Sequence, residues 1–385
     1  MESEIGAVSY DHGAQFFTAR STEFQREVAE LQAAGVVAEW TGRHARITAD
    51  GSCQLLAQTR STSSNGGAGF CGSLDGLPLY VGTPTNSALC QHLGQQLAQQ
   101  QGVIVEQGVK VQAVERLGGG CGTSGSRWRL RGTRQGRGAA DAGTDGQEDL
   151  GAYDTVVLAD GMTLLPGSAG HISGIEQAAT SLAQLAASVA AATPQPCFAL
   201  MLAWRQPLPG VPFDSASFDA GSSSSVDGSS GSRGASSGSS SAAFQWIACD
   251  SSKPGRPQDA QCWVALTSPQ RTQQLLESYP LVVDGKFQPQ TEQLRAAVAA
   301  ELLSDFTALM QPFVEGVLPP PASCHAQRWG RAFVASPLGA EFLFLPSQRL
   351  ALCGDVTAGS SIESAWRSGR AAGDAVAAML LASAL

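Results

Sequence analysis

Residues 350–376 read LALCGDVTAGSSIESAWRSGRAAGDAV. The apolar run Leu350 to Cys353 is short, β-compatible and stopped by Gly354-Asp355, which marks a buried strand rather than a helix. A loop of small residues follows, and a helix is expected from about Ser361. A carboxylate at the C-terminal end of such a strand can accept hydroxyl hydrogen bonds from a ribose or ribityl chain, and the free N–H groups of a following helix suit a negative group. Asp355 and the helix start at Ile362, Glu363, Ser364 and Ala365 are therefore candidate ligand contacts. An ordinary strand-to-helix connection capped by Ser accounts for the same residues equally well.

Working outward, Val103 to Val114 and Thr155 to Ala159 are also β-branched runs bounded by turn residues, suited to strands buried on both faces of an α/β sheet. A helix is expected over Asn86 to Gln100, with Leu89, Leu93 and Leu97 on one face, so that helix and strand alternate as in a layered α/β unit. Between Ala159 and Leu350 the pattern changes. Phe198 to Trp204, Phe244 to Ala248 and Cys262 to Thr267 read as antiparallel strands, followed by a helix from about Thr291 to Met310, and the segment 176–193 reads as a helix covering a sheet face. Gly221 to Ser241 is nearly pure Ser and Gly and has too little apolar surface to order itself, which marks an inserted flexible loop. Ser61 to Gly69, Gly118 to Ser126 and Gly132 to Gly146 have the same character.

The chain has 385 residues, 43% of them hydrophobic, enough for a sizeable core. Its 24 basic and 33 acidic residues give a net charge of −9, the wrong sign for a polyanion binder, which argues against nucleic acid as a partner. Nine scattered cysteines without a C-x-x-C pair argue against a disulfide framework or zinc site and fit a reducing compartment, cytoplasmic or organellar. The opening MESEIGAVSYDHGAQFF shows no secretory signal, so secretion is not expected. The most apolar run, AVAAMLLASAL, is about half the length that a bilayer requires and reads as a buried terminal helix, so no membrane association is expected.

Other motifs carry less. GAGFCG, Gly67 to Gly72, matches the dinucleotide pattern G-x-G-x-x-G but neither follows a buried strand nor opens a helix, so it reads as a loop. In DHGAQFFTAR, Gly13 and Ala14 permit close approach of a planar ring to the backbone, though a tight strand start before an aromatic pair explains them too. Lys253, in DSSKPGR, reads as a turn residue. His12, His44, His92, His171 and His325 lack the spacing and carboxylate company of a metal or triad site.

The order of DHGAQFFTAR, YVGTPTNSALCQHL, VKVQAVE, WRL, YDTVVLAD, PCFALMLAW, WIACDSSKPGR, RW, and LALCGD with SIESAWRSG is similar to that of the bacterial and plant FAD-dependent oxidoreductases grouped with renalase in the monoamine-oxidase superfamily. The resemblance runs from residue 10 to the C-terminus. It implies an α/β (α+β) flavoprotein fold of the FAD/NAD(P)-binding type, in which an incomplete nucleotide-binding sheet is joined to an antiparallel substrate-domain sheet. It implies that Gly13, Ala14 and Gln15 lie beside the flavin ring, that Val111 contacts adenine through its backbone, that Gly354 and Asp355 bind the ribityl chain and pyrophosphate, and that Ile362 to Ala365 face the flavin's pyrimidine end. A lysine near flavin N5 occurs in amine-oxidase relatives, which gives Lys253 a second reading. The family's opening strand, G-x-G-x-x-G turn, helix and acidic residue would precede DHGAQFF, where only nine residues precede Tyr10, so the N-terminal dinucleotide-binding segment is expected to be missing.

The expected organisation is a FAD-binding domain, residues 1–160 with 330–385, and a substrate domain, residues 161–329, carrying the insert 221–241. The expected activity is hydride transfer from an amine or a dihydronicotinamide-like small-molecule substrate to flavin, with O2 as acceptor. A plastid location is open if a transit peptide lies in the missing segment. The rival expectation is a non-catalytic remnant or truncated gene product that binds no FAD.

Overall fold

Strands and helices alternate irregularly along the chain, in a mixed α/β arrangement with several sheets. The computed structural model describes residues 6, 8–48, 50–56, 76–117, 127–135, 147–168, 170–175, 179–192, 194–218, 243–284 and 286–383. The first part contains α1 (Thr22–Ala33), β1 (Val37–Glu39), β2 (His44–Ile47), β3 (Cys53–Leu55), β4 (Tyr80–Gly82) and α2 (Ser87–Ala98). Next come β5 (Val109–Leu117), β6 (Arg127–Arg134), β7 (Glu148–Tyr153), β8 (Val156–Leu158) and α3 (Thr180–Ala191). The middle holds β9 (Pro194–Trp204), β10 (Ser215–Phe218), β11 (Phe244–Cys249), β12 (Gln261–Thr267), α4 (Pro269–Ser278), β13 (Val282–Val283), β14 (Lys286–Phe287) and α5 (Glu292–Met310). The chain continues with β15 (Ser323–Val334), β16 (Leu343–Leu345), β17 (Leu350–Leu352), α6 (Asp355–Ala358) and α7 (Ile362–Ser383).

These elements divide into two units, one made of residues 1–93, 196–281 and 289–332, the other of 94–195, 282–288 and 333–385. Residues 1–93 thus share a unit with the antiparallel strands of the middle segment, and 94–160 fall in the other.

The first unit is built on a seven-stranded sheet in the order β15-β9-β12-β11-β10-β2-β3. The pairs β9·β12, β12·β11, β11·β10 and β2·β3 are antiparallel, while β10·β2 is parallel. Phe198, Leu200, Leu202 and Trp204 alternate along β9 onto one face, where they meet Val298, Leu302, Phe306 and Met310, spaced four apart along α5. The period of two on the strand and of nearly four on the helix is what lets the two apolar stripes interlock. Trp246 of β11 carries Phe16 at 5.2 Å between ring centroids, and Tyr10 packs on Ala203, Ala260 and Cys262. Ser21 caps α1, accepting from the Phe24 N–H, and Phe24, Val28 and Leu31 bury its inner face.

The second unit contains the antiparallel sheet β5-β6-β7 and the sheet β16-β17-β8, in which β17·β8 is parallel and β16·β17 antiparallel. Leu182, Leu185 and Val189 of α3 pack with Leu158, Leu350, Leu352 and Trp128 in its core.

Four expectations need correction. The run from Ala375 is helical, in α7, but it is not buried: Leu380 and Leu381 are 39% and 70% exposed, because the buried positions of α7, Glu363, Ser368 and Ala372, all precede it. Val103 to Val114 is not one buried strand: the chain from 103 to 107 is irregular, Ile104 is 83% exposed, and the strand begins only at Val109. Gly102 and Gly108, at φ +82° and +68°, interrupt the run on either side of the Val-Ile-Val triplet, and β5 belongs to the antiparallel sheet, not to the parallel pair. Leu93 and Leu97 are exposed, so only Leu89 anchors α2. Gly132 to Arg134 continue β6 and are not loop. The GAGFCG match and the Ser/Gly insert 221–241 lie outside the described residues.

Candidate functional site

In the first unit the segment Tyr10 to Gln15 is held by charged groups buried beneath it. The Asp11 carboxylate receives three contacts. The Asn86 backbone N–H reaches Oδ1 at 3.1 Å, while Lys253 Nζ, at 3.3 Å, and the Arg256 guanidinium share Oδ2. The Asp11 backbone adds two more, its N–H donating to Asp250 Oδ2 and its carbonyl accepting from the Gln15 side-chain amide. Lys253 also pairs with Asp250 and lies 5.4 Å from the Trp40 ring centroid, a cation–π distance. Two carboxylates and two cations, all buried, thus balance. A buried charge without a partner is costly, so this composition and not any single pair makes the cluster stable.

Local sequence explains how the cations get there. Asp250–Ser252 form a short 3-10 turn at the end of β11, and Pro254 with Gly255, at φ +75°, turns the chain back so that Lys253 and Arg256 point inward. Arg256 further donates to the carbonyls of Gly82, at 2.9 Å, and Pro84. The turn anticipated for DSSKPGR is present; the complete burial of its lysine was not foreseen.

Above this base, Gly13 and Ala14 are exposed, and nothing lies within 4 Å of where a Cβ on Gly13 would sit. Asn86 Nδ2 holds the Ala14 carbonyl at 2.6 Å. Gln15 is fully buried and its Oε1 has no donor among the described residues; the same holds for His12 Nδ1. The His12 ring stacks on Trp329 at 5.4 Å, and the Trp329 indole donates to the His12 carbonyl at 3.0 Å. Burial pushes the Tyr10 phenol up to about 12, and burial pushes the His44 imidazole down.

In the second unit β17 ends at Gly354, whose φ of +112° only glycine adopts readily, and a Cβ there would stand 2.9 Å from the Ala159 carbonyl oxygen. The Gly354 N–H donates to Ser368 Oγ of α7 at 2.8 Å, and Thr357 Oγ1 joins Ser368 Oγ at 3.0 Å, so the turn is tied to the helix. Asp355, half-buried, opens α6. At the start of α7 Ile362 and Ser364 are half-buried, Ala365 is exposed and Glu363 is buried. Ser361 Oγ accepts the Ser364 N–H at 3.0 Å. Val111 lies on β5, whose outer side is bridged just beyond it by Ser173: the Ser173 N–H donates to the Gln112 carbonyl at 2.9 Å and the Val114 N–H to the Ser173 carbonyl at 2.8 Å. Gln135 N–H donates to the Gly108 carbonyl across the β5·β6 pair, and the alternation of an antiparallel ladder then turns the Val111 peptide groups away from β6.

The proposed contacts therefore fall in two groups: Gly13, Ala14 and Gln15 in the first unit, Val111, Gly354, Asp355 and residues 362–365 in the second. Sequence reading missed Asp11, Asn86, Asp250, Arg256, Thr357 and Ser368. The only available signal was the density of charged side chains in DHG and DSSKPGR within a chain otherwise sparing of charge. Among the described residues no group of three or more His, Cys, Asp or Glu could hold a metal, and no helix is long and apolar enough to cross a membrane.

No protein-family model matches the chain. No curated protein matches it.

Proposed function

We propose that this chain is an FAD-dependent oxidoreductase of the renalase-like amine-oxidase type. The Gly354-Asp355 turn carries the reading: a carboxylate is set at the C-terminal end of a strand in a parallel pair, on a backbone that the φ of Gly354 and the Ser368 hydroxyl hold in place. Asp355 would hold the ribityl or pyrophosphate part of FAD, and the outward peptide of Val111 the adenine. These residues fit the group in that Asp355 is half-buried at the strand end with solvent access left to its carboxylate, and the β5·β6 ladder turns the Val111 peptide groups away from β6. When bound, the flavin would accept a hydride from a carbon next to nitrogen, in an amine or dihydronicotinamide, and pass electrons to O2. The protein's own share is position and electrostatics.

A second reading, a chain that holds no flavin, is favoured by the first turn of α7, where the Ser361 hydroxyl already takes the Ser364 N–H and the buried Glu363 already places an acid at the helix's positive end. Titrating the purified chain with FAD separates the two. Saturable binding with absorbance bands near roughly 370 and 450 nm supports the oxidoreductase. No binding, with no amine- or dihydronicotinamide-dependent O2 consumption, overturns it.

A further inference from the structure

We infer that Asp11 is a positioning residue whose buried contacts fix the exposed Gly13–Ala14 peptides. The inference rests on the flavin reading for what those peptides serve, and on the first unit alone for how they are held. Asp11 is 7% exposed and engages Asn86, Lys253 and Arg256 through its side chain and Asp250 and Gln15 through its backbone. Asn86 closes the arrangement: its N–H binds Asp11, its Oδ1 accepts the Gly82 N–H at 2.6 Å, and its Nδ2 holds the Ala14 carbonyl at 2.6 Å. Two residues exposed to solvent and free of Cβ obstruction at Gly13 are thereby tied down on both sides, at Asp11 and at Ala14. A glycine-containing surface segment loses much conformational entropy when ordered, and the charged hydrogen bonds at Asp11 offset that loss. Pre-ordering is what a planar ligand lying against backbone needs, since a peptide already fixed does not have to be ordered again on binding.

Removing Asp11 alone would leave two buried cations against one carboxylate. The test therefore uses the charge-balanced pair Asp11→Asn with Lys253→Met in the full chain, leaving Arg256 against Asp250. Two readouts are taken: the backbone NMR order parameters of residues 12–15, and binding of FAD with its visible spectrum. The order parameters of 12–15 should fall from the rigid range of ~0.85 to about 0.6 or below while those of β9, β11 and β12 stay high. Unchanged order parameters at 12–15 in a folded variant overturn the positioning role. Lowered order with weaker FAD binding and a shifted flavin spectrum supports both the role and the flavin reading. Lowered order with FAD binding and spectrum unaltered supports the ordering but removes the flavin from those peptides. If the double variant does not fold, Asn86→Ala, which cuts the tie to the Ala14 carbonyl and keeps every charge, decides by the same two readouts.

Discussion

Lys253 Nζ lies 3.3 Å from Asp11 Oδ2, although 242 positions separate the two residues, and neither side chain is more than 4% exposed. An ion pair this deep is neutralised by its surroundings and not by solvent, so removing one member leaves a charge that has nowhere to go.

Lys253→Met should accordingly destabilise the protein by about 3–5 kcal/mol, and adding Asp11→Asn should recover part of the loss by restoring charge balance. Urea unfolding of both single variants and the double variant gives the coupling. Strictly additive losses would show that the two charges do not depend on each other.

Gly354→Ala should cost about 1–3 kcal/mol, because alanine at this backbone conformation is strained and its Cβ meets the Ala159 carbonyl oxygen at 2.9 Å. Chemical denaturation measures it, and an unchanged midpoint would mean that the turn relaxes without loss.

Asp355→Ala tests the second unit's part in ligand binding. If the carboxylate holds a hydroxyl or amide of FAD, its loss should weaken binding by about 1.5–3 kcal/mol, roughly a 10- to 150-fold rise in Kd. Unfolding midpoints should stay close to the parent's, since Asp355 is half-buried and its side chain caps nothing. Equal FAD affinity would remove Asp355 from the site.

His44 supplies a pH dependence. Burial holds its pKa below the usual 6.5, while its ring contacts Ser215 Oγ at 2.7 Å and the Trp40 carbonyl at 3.2 Å. Below the unfolded pKa the unfolded chain takes up more protons than the folded one, so this contribution to stability is complete above about pH 6.5 and declines as the pH falls through and below it. Urea unfolding at pH 7.5 and pH 5.5 should show the decline, and His44→Gln should flatten it. A variant with the parent's slope would assign that dependence to other groups.

Much of the fold was legible because strand and helix periods are local properties. The runs at Phe198, Phe244, Cys262 and Leu350 became β9, β11, β12 and β17, and the spacing from Thr291 to Met310 became α5 with Thr291 as its cap. The triplet Val103-Ile104-Val105 misled because hydrophobicity alone was weighed against two glycines whose positive φ values end the run. Strand-end chemistry at Gly354-Asp355 was readable from adjacent letters. The Asp11 cluster was not, since it exists only where residues 11, 86 and 250–256 meet, and no window of sequence contains all three.

The first unit draws on three separated stretches, 1–93, 196–281 and 289–332. During synthesis residues 1–93 therefore leave the ribosome without β9 to β12, the strands that complete their sheet. At ~5–20 residues per second the wait until residue 256 is made lasts roughly eight to thirty seconds; β2 lacks β10 for the earlier part of it, and Asp11 lacks both its cations until near its end. For that earlier part β2 lacks a neighbour that it has in the folded unit. A translational pause placed before residue 256 would lengthen that wait, whereas one placed after residue 334 would fall on a sheet whose strands have all been made.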